Sequence, residues 1–276
     1  MTDQHGTADG PDMLVGRHAR TGRVTLVGGG PGADDLLTLA GADALVNADV
    51  VLYDRLAPHD HLASLAPRAE LINVGKTPGH HPVNQRGIEA LIVEHALRGL
   101  HVVRLKGGDP YVFGRGSEEV LACHAAGIPV SVVPGVTSAV AVPAAAGIPL
   151  THREVSRMFT VVSGHAPLSE DQLGHLAALG STIVVLMGIG TLPSISQGLV
   201  RHGASPDLPI AIIERGFSPE QRTTISTLAT VVTDAALVGV HSPAVLVIGE
   251  VVQYAWEADA SSADLMARAA RLAEPE

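Results

Sequence analysis

Short apolar runs recur along this chain, and nearly every one closes on glycine or on a charged residue. Val24–Val27 runs into Gly28-Gly29-Gly30-Pro31-Gly32, and Val50–Tyr53 into Asp54-Arg55. Glu70–Val74 ends at Gly75-Lys76, His101–Leu105 at Lys106-Gly107-Gly108-Asp109-Pro110, and Pro129–Val133 at Pro134-Gly135. Runs this short, rich in β-branched residues and bounded by turn formers, predict buried strands. Helical spacing separates them. One such stretch runs from Leu36 to about Asn47, with Asp34 or Asp35 as the N-cap. A second spans Asn84 to Arg98, with Ile88, Leu91, Ile92 and His95 on one face, and a third starts at Ser117 and runs through Ala126. Glu118 and Glu119 fall in the first turn of the third, at the positive end of its dipole. Five strands alternating with helices predict a parallel, doubly wound sheet.

Pro134-Gly135-Val136-Thr137-Ser138 marks a change of domain. Beyond it come a helix of small residues, Ala139–Ala146, and further strands at Phe159–Ser163, Thr182–Met187, Pro209–Glu214 and Ala244–Ile248. Thr223–Leu228 is also β-rich. The predicted organisation is an N-terminal α/β domain over 23–134 and a C-terminal α/β domain over 135–254. The polar stretch 1–22 lacks periodicity and is expected to be a disordered tail. The Ala-rich stretch 255–276 is expected to be a peripheral helix or a tail.

Composition narrows the class. With 276 residues, 46% of them hydrophobic, the chain can bury a sizeable core. No apolar run reaches the ~18 residues of a membrane span. No basic, then apolar, leader opens the sequence, and the single cysteine, Cys123, excludes an internal disulfide. A cytoplasmic protein is expected. Net charge of −10 argues against nucleic acid as a partner. Yet from Arg55 to Arg157 there are ten Arg/Lys against eight Asp/Glu, so the middle of an acidic chain is locally basic. An anionic small molecule suits such a region.

The glycine-rich stretch from Lys106 to Ser117 is the strongest candidate site. It follows a strand, and open α/β sheets bind ligands outside the carboxyl ends of their strands. Gly107 and Gly108 remove side chains so that main chain can approach a ligand. Other chemistries fit less well. His59-x-His61 and His80-His81 lack the helical spacing to a glutamate of hydrolytic zinc sites, so no metal is expected. No nucleophile elbow or phosphate-binding loop occurs. Cys123 and His124 are adjacent on a helix and point apart, leaving Cys123 as a small buried residue. Gly28, Gly30 and Ala33 match a dinucleotide fingerprint, with Asp54 about 20 residues on, but Pro31 removes an amide that a pyrophosphate would need. What remains is a nucleotide-like ligand held by several loops, with Asp54 and Lys76 at the ends of neighbouring strands.

Taken as an ordered set, these motifs resemble the tetrapyrrole methylases over about Arg23 to Val252. The set includes Gly28-Gly29-Gly30-Pro31-Gly32, Tyr53-Asp54-Arg55-Leu56, Gly75-Lys76 and Arg104-Leu105-Lys106-Gly107-Gly108-Asp109-Pro110 continuing to Gly116. It closes with Pro134-Gly135-Val136-Thr137-Ser138, Gly147-Ile148-Pro149-Leu150-Thr151-His152-Arg153, Met187-Gly188 and Arg215-Gly216. The resemblance implies a homodimer of two α/β domains with S-adenosylmethionine in the cleft between them. It implies transfer of two methyl groups to carbons 2 and 7 of uroporphyrinogen III, giving precorrin-2 for sirohaem or cobalamin, with S-adenosylhomocysteine released. It places the donor against Pro31, Gly107, Gly108, Asp109, Val112, Thr137, Ser138, Met187 and Gly216. Asp54 matches the family's proton acceptor and Lys76 its proton donor. Arg55, Arg115, His152 and Arg153 are our candidates for the substrate's carboxylates. One departure is Gln85-Arg86-Gly87-Ile88-Glu89, where the family has Gln-x-Glu-Ile-Asn. The alternatives are a methylase of a later corrin precursor, a nicotinamide-dependent oxidoreductase and a non-catalytic adenosine-binding module.

Overall fold

The structure is a computed structural model and describes residues 21–75 and 84–255. Strands β1 (Arg23–Gly28), β2 (Val50–Tyr53), β3 (Glu70–Asn73), β4 (His101–Lys106) and β5 (Val130–Val133) form one sheet in the order β3-β2-β4-β1-β5. All its pairings are parallel. The connections carry α1 (Leu39–Val46), α2 (Leu62–Leu65), α3 (Gln85–Leu97) and α4 (Gly116–Ala125). Side chains alternate across the sheet. Leu26, Leu52 and Val102 pack beneath Ile88 and Ile92 of α3 and Cys123 of α4. Val27, Val51, Val103 and Leu105 pack on the other face with Leu45 of α1 and Leu62 of α2. Cover on both faces explains why β2 reads as an unbroken apolar run and β1 and β4 as largely apolar ones.

The second half contributes α5 (Ser138–Ala145), β6 (Phe159–Ser163), α6 (Glu170–Leu179), β7 (Thr182–Leu186) and α7 (Leu192–Arg201). After these come β8 (Pro209–Glu214), β9 (Arg222–Thr227), α8 (Val231–Val238) and β10 (Ala244–Ile248). Its five strands are ordered β6-β7-β10-β8-β9. Only β6 and β7 are parallel; β10 runs antiparallel to both β7 and β8, and β9 antiparallel to β8. One face is covered by Leu173, Ile195, Leu199 and Val231 of α6, α7 and α8. The other meets Ala139 and Val142 of α5, together with Ile148, Val251 and Val252. This α/β architecture of two separate sheets agrees with the expected fold class.

Two local expectations are corrected, and the family departure at Gly87 is located. Asp34 and Asp35 do not cap α1: they belong to a short 3-10 turn, and the Thr38 hydroxyl caps the helix by accepting from the Gly41 N–H at 3.1 Å. Ser117 does not open α4, which starts at Gly116 with Arg115 at the N-cap in the left-handed region. Gly87, the departure from the family pattern, sits in the first turn of α3, where its N–H donates to Asn84 Oδ1 at 2.9 Å. Glycine there escapes most of the cost it carries in a helix interior. The tails expected at 1–22 and 255–276 lie outside the described residues, save 21, 22 and 255.

The carboxyl ends of β1, β4 and β5 meet main chain to main chain. A Cβ on Gly28 would lie 2.4 Å from the Gly135 nitrogen and 2.7 Å from the Gly108 oxygen, and one on Gly135 would lie 2.3 Å from that same oxygen. Neither neighbour is a side chain that could swing away. Gly28→Ala is therefore expected to destabilise the fold by at least the ~1–3 kcal/mol typical of overpacking. Gly190→Ala, with nothing within 4 Å of the added methyl, is expected to stay within ~0.5 kcal/mol of the parent. Urea denaturation of the two variants side by side checks both.

Candidate active site

A cavity of about 450 Å³ opens between the two sheets at these strand ends. That is within the ~300–1,000 Å³ range of small-molecule sites. One wall is main chain. Gly107 and Gly108 follow β4, and Gly30 and Gly108 exchange hydrogen bonds, Gly108 N–H to the Gly30 carbonyl at 2.6 Å and the reverse at 3.2 Å. Side chains are excluded there for steric reasons: a Cβ on Gly107 would lie 2.8 Å from the Leu56 carbonyl oxygen, and Gly108 has φ +67°. The facing wall is apolar, built from Val142, Leu186, Ile213 and Val245. Arg55 and Arg215 bring positive charge to the lining, and no described residue on it is Asp or Glu.

Backbone strain concentrates at the same place. Among the described residues, five non-glycine residues have positive φ: Phe113 (53°), Arg115 (57°), Met187 (59°), Arg215 (48°) and Phe217 (66°). Phe113, Met187 and Arg215 line the cavity, and the other two lie within two residues of lining positions. Such conformations persist only where the surroundings over-determine them, and they gather at ligand sites.

Of the positions expected to hold the methyl donor, Pro31, Gly107, Gly108, Val112, Ser138, Met187 and Gly216 lie on the lining. Asp109 and Thr137 do not. Both Asp109 carboxylate oxygens are engaged by main chain, Oδ1 by the Tyr111 N–H at 2.8 Å and Oδ2 by the Gly135 N–H at 3.1 Å. Asp109 thus ties the loop after β4 to the loop after β5. The Thr137 hydroxyl caps α5, accepting from the Ala139 N–H.

The substrate candidates are dispersed. Arg55 is on the lining. Arg115 is paired outside it with Glu118 at 2.6 Å, across one turn of α4. His152 stacks on Tyr254, with ring centroids 4.7 Å apart, and Arg153 is exposed. Arg215 was not among the candidates. The signal that could have found it is its place directly after an apolar strand and before Gly216, as Arg55 directly follows Asp54 at the end of β2.

Asp54 adjoins the lining residues Arg55 and Leu56, and its carboxylate is half-buried. Arg104 Nη2 donates to its Oδ1 at 2.6 Å. Arg104 is itself buried on β4. Its Nε donates to Glu119 Oε1 at 3.0 Å, and its Nη1 to the carbonyls of Leu105 (2.9 Å) and Leu52 (3.3 Å). Lys106 Nζ donates to the same Glu119 oxygen at 3.0 Å, and Gln85 Nε2 reaches it at 3.3 Å. Glu119 Oε2 is buried with no partner among the described residues. Burial, aided by Arg104, holds the Lys106 ammonium below its ordinary range, while Glu119 pulls it back. One helical turn on from Glu119, burial pushes the Cys123 thiol up to about 11, so this cysteine is packing and not a nucleophile. Lys76 lies outside the described residues. Within them, no group of three or more His, Cys, Asp or Glu is placed to hold a metal ion, and no helix is long and apolar enough to cross a membrane.

Comparison with known proteins returns one family along most of the chain. The family model for Tetrapyrrole (Corrin/Porphyrin) Methylases matches residues 23–232. The S-adenosyl-L-methionine-dependent uroporphyrinogen III methyltransferase of Methanosarcina barkeri is 47% identical over 235 residues, covering 84% of this chain and 92% of that protein. The siroheme synthase of Tolumonas auensis is 44% identical over 257 residues, but those cover only 54% of its length. Among solved structures, the uroporphyrin-III C-methyl transferase of Thermus thermophilus complexed with S-adenyl homocysteine superposes with a TM-score of 0.71. It is 44% identical, with 84% of this chain and 99% of that one covered. The family match runs from β1 through the first sheet and most of the second to the start of α8, and on it the chain belongs to the tetrapyrrole (corrin/porphyrin) methylases.

Proposed function

We propose that this protein methylates uroporphyrinogen III at carbons 2 and 7, using S-adenosylmethionine, and so makes precorrin-2 for sirohaem or cobalamin. The observation that carries the reading is the cavity between the sheets: main chain on one wall, apolar side chains on the other, and arginine but no carboxylate among the described residues of its lining. It sits in a chain 47% identical to a uroporphyrinogen III methyltransferase along 92% of that protein. The residues fit the donor. Gly107 and Gly108 keep side chains out of the space, Val112, Val142 and Leu186 offer apolar contact, and Ser138 adds a hydroxyl. S-adenosylmethionine, when bound, supplies an electrophilic methyl group on a sulfonium, so the protein need not activate it. The division at 134/135 belongs to the same proposal, supported by the sheets falling on either side of it. So do a homodimer and a cytoplasmic setting, which rest on the family resemblance.

The chain's own residues then have three tasks. The first is alignment. Holding two reactants in attack geometry removes ~7–11 kcal/mol from a barrier, and the strained, over-determined loops around the cavity suit that task. The second is charge. The substrate bears eight carboxylates, and Arg55 and Arg215, both on the lining, are our candidates to take some of them, a role that suits guanidinium better than ammonium. The third is proton removal as the methylated pyrrole rearranges, which we assign to Asp54, with Lys76 as the proton donor on the strength of the family resemblance. General-base help is typically worth ~10²–10⁴-fold.

Purified protein incubated anaerobically with S-adenosylmethionine and uroporphyrinogen III is expected to yield the dimethylated product by mass spectrometry. An unmodified substrate would sink the reading, and the same assay on a later corrin precursor separates the runner-up. Asp54→Asn is expected to lower kcat by ~10²–10⁴-fold with S-adenosylhomocysteine affinity retained by calorimetry; retained turnover would remove Asp54 from the base role. Arg215→Ala is expected to raise the KM for uroporphyrinogen about tenfold or more, matching the ~1.5–3 kcal/mol of a charged hydrogen bond. An unchanged KM would show that Arg215 does not meet the substrate.

A further inference from the structure

Two cations and a glutamate are buried together under the sheet, and the chemistry assigned to the cavity does not use them directly. Arg104 and Lys106 are two apart on β4 and so share a face. Glu119 comes down on them from α4. All three are almost fully buried, at 1%, 3% and 0% exposure. Hydrophobic residues of similar volume are often at least as stable in such a place. What the cluster supplies instead is fixed direction. Arg104 is held by four partners on different elements: Glu119 from α4, the Leu52 carbonyl from β2, the Leu105 carbonyl from β4, and Asp54 just beyond β2. With the guanidinium immobile, Asp54 Oδ1 is pinned at 2.6 Å, and Oδ2 has no partner among the described residues.

We propose that Arg104, anchored by Glu119, is the positioning residue that sets the orientation of the Asp54 carboxylate. Lys106, bound to the same Glu119 oxygen, joins that anchor to the Gly107–Gly108 wall of the cavity. The proton acceptor and the donor-binding wall are thereby registered against one buried carboxylate. This rests on the role given to Asp54 above.

The test is a set of full-length variants assayed beside the parent with S-adenosylmethionine and uroporphyrinogen III, with S-adenosylhomocysteine binding measured in parallel. Arg104→Gln is expected to lower kcat at least tenfold, with KM for the donor and S-adenosylhomocysteine affinity within about twofold. Arg104→Lys is expected to recover part of the rate. In an Asp54→Asn background, Arg104→Gln is expected to cost nothing further. A loss that multiplies in that background, or S-adenosylhomocysteine affinity that falls as far as kcat, overturns the proposal. Should Arg104→Gln fail to fold, Glu119→Gln keeps the shape and removes the anchoring charge. A tenfold lower kcat with binding retained supports the proposal, and full activity overturns it. If the parent itself transfers no methyl group, the proposed function fails and this inference is decided separately, by crystal structures. Asp54 turned or disordered in a Glu119→Gln or Arg104→Lys crystal supports it, and Asp54 unmoved overturns it.

Discussion

The constraint on which the cavity depends is the meeting of main chain at Gly28, Gly108 and Gly135, where the ends of β1, β4 and β5 come together. Their main chains approach so closely that no side chain fits between them. Everything that makes the cavity follows. Because β1, β4 and β5 end at one place, the loops after them converge, and the Asp109 carboxylate can span from the β4 loop to the Gly135 amide. Because that wall is main chain, a ligand can lie directly against it. The space is produced by what the sequence omits there, and its shape by the sheet that brings the omissions together.

The second sheet supplies what the first lacks. Its strand ends present Leu186, Met187, Ile213 and Arg215 across the cleft, and two of these residues hold positive φ. Each such residue costs on the order of 1–3 kcal/mol. The cost is carried by flanking elements that cannot relax: the Arg215 N–H is fixed to the Pro243 carbonyl at 2.9 Å, and its neighbour Glu214 is buried against Arg222 and the His241 amide. Strain is therefore spent on aim. A relaxed turn at the end of β8 would put the Arg215 side chain elsewhere.

Much of this was legible in the sequence, and the rest was not, for physical reasons. Every strand of the first sheet could be located: the inner strands β1, β2 and β4 are largely apolar because both faces are covered, and the edge strands β3 and β5 are short β-rich runs that end near Gly or Pro. The order and direction of the second sheet could not be. Nothing local tells β10 to insert antiparallel between β7 and β8, since periodicity encodes faces and not partners. Helix starts were misplaced where two polar residues competed, as with Asp34 and Thr38. Among the arginines, nearness to a glycine loop was a poor guide. Arg115 satisfies itself one turn away on Glu118, whereas Arg215 reaches the cavity through a backbone conformation that composition does not announce. The buried cluster was invisible for a related reason: Arg104 and Lys106 read as polar interruptions of a strand until Glu119 is brought over them from fifteen residues on.

Charge placement explains why these parts are separated as they are. On the proposed function a polyanionic substrate is repelled by an acidic chain, which suits a lining free of carboxylates among the described residues, yet the proposed proton removal needs one. Asp54 lies just off the lining, and a buried arginine balances its charge from behind. Low effective dielectric strengthens that pairing compared with one in water, and Glu119 is required in turn, since Arg104 and Lys106 together would otherwise leave excess positive charge buried beneath the sheet. The cluster under β4 is thus the electrostatic complement of an arginine-lined mouth. On the proposed function, it allows one carboxylate to sit beside a site that attracts eight.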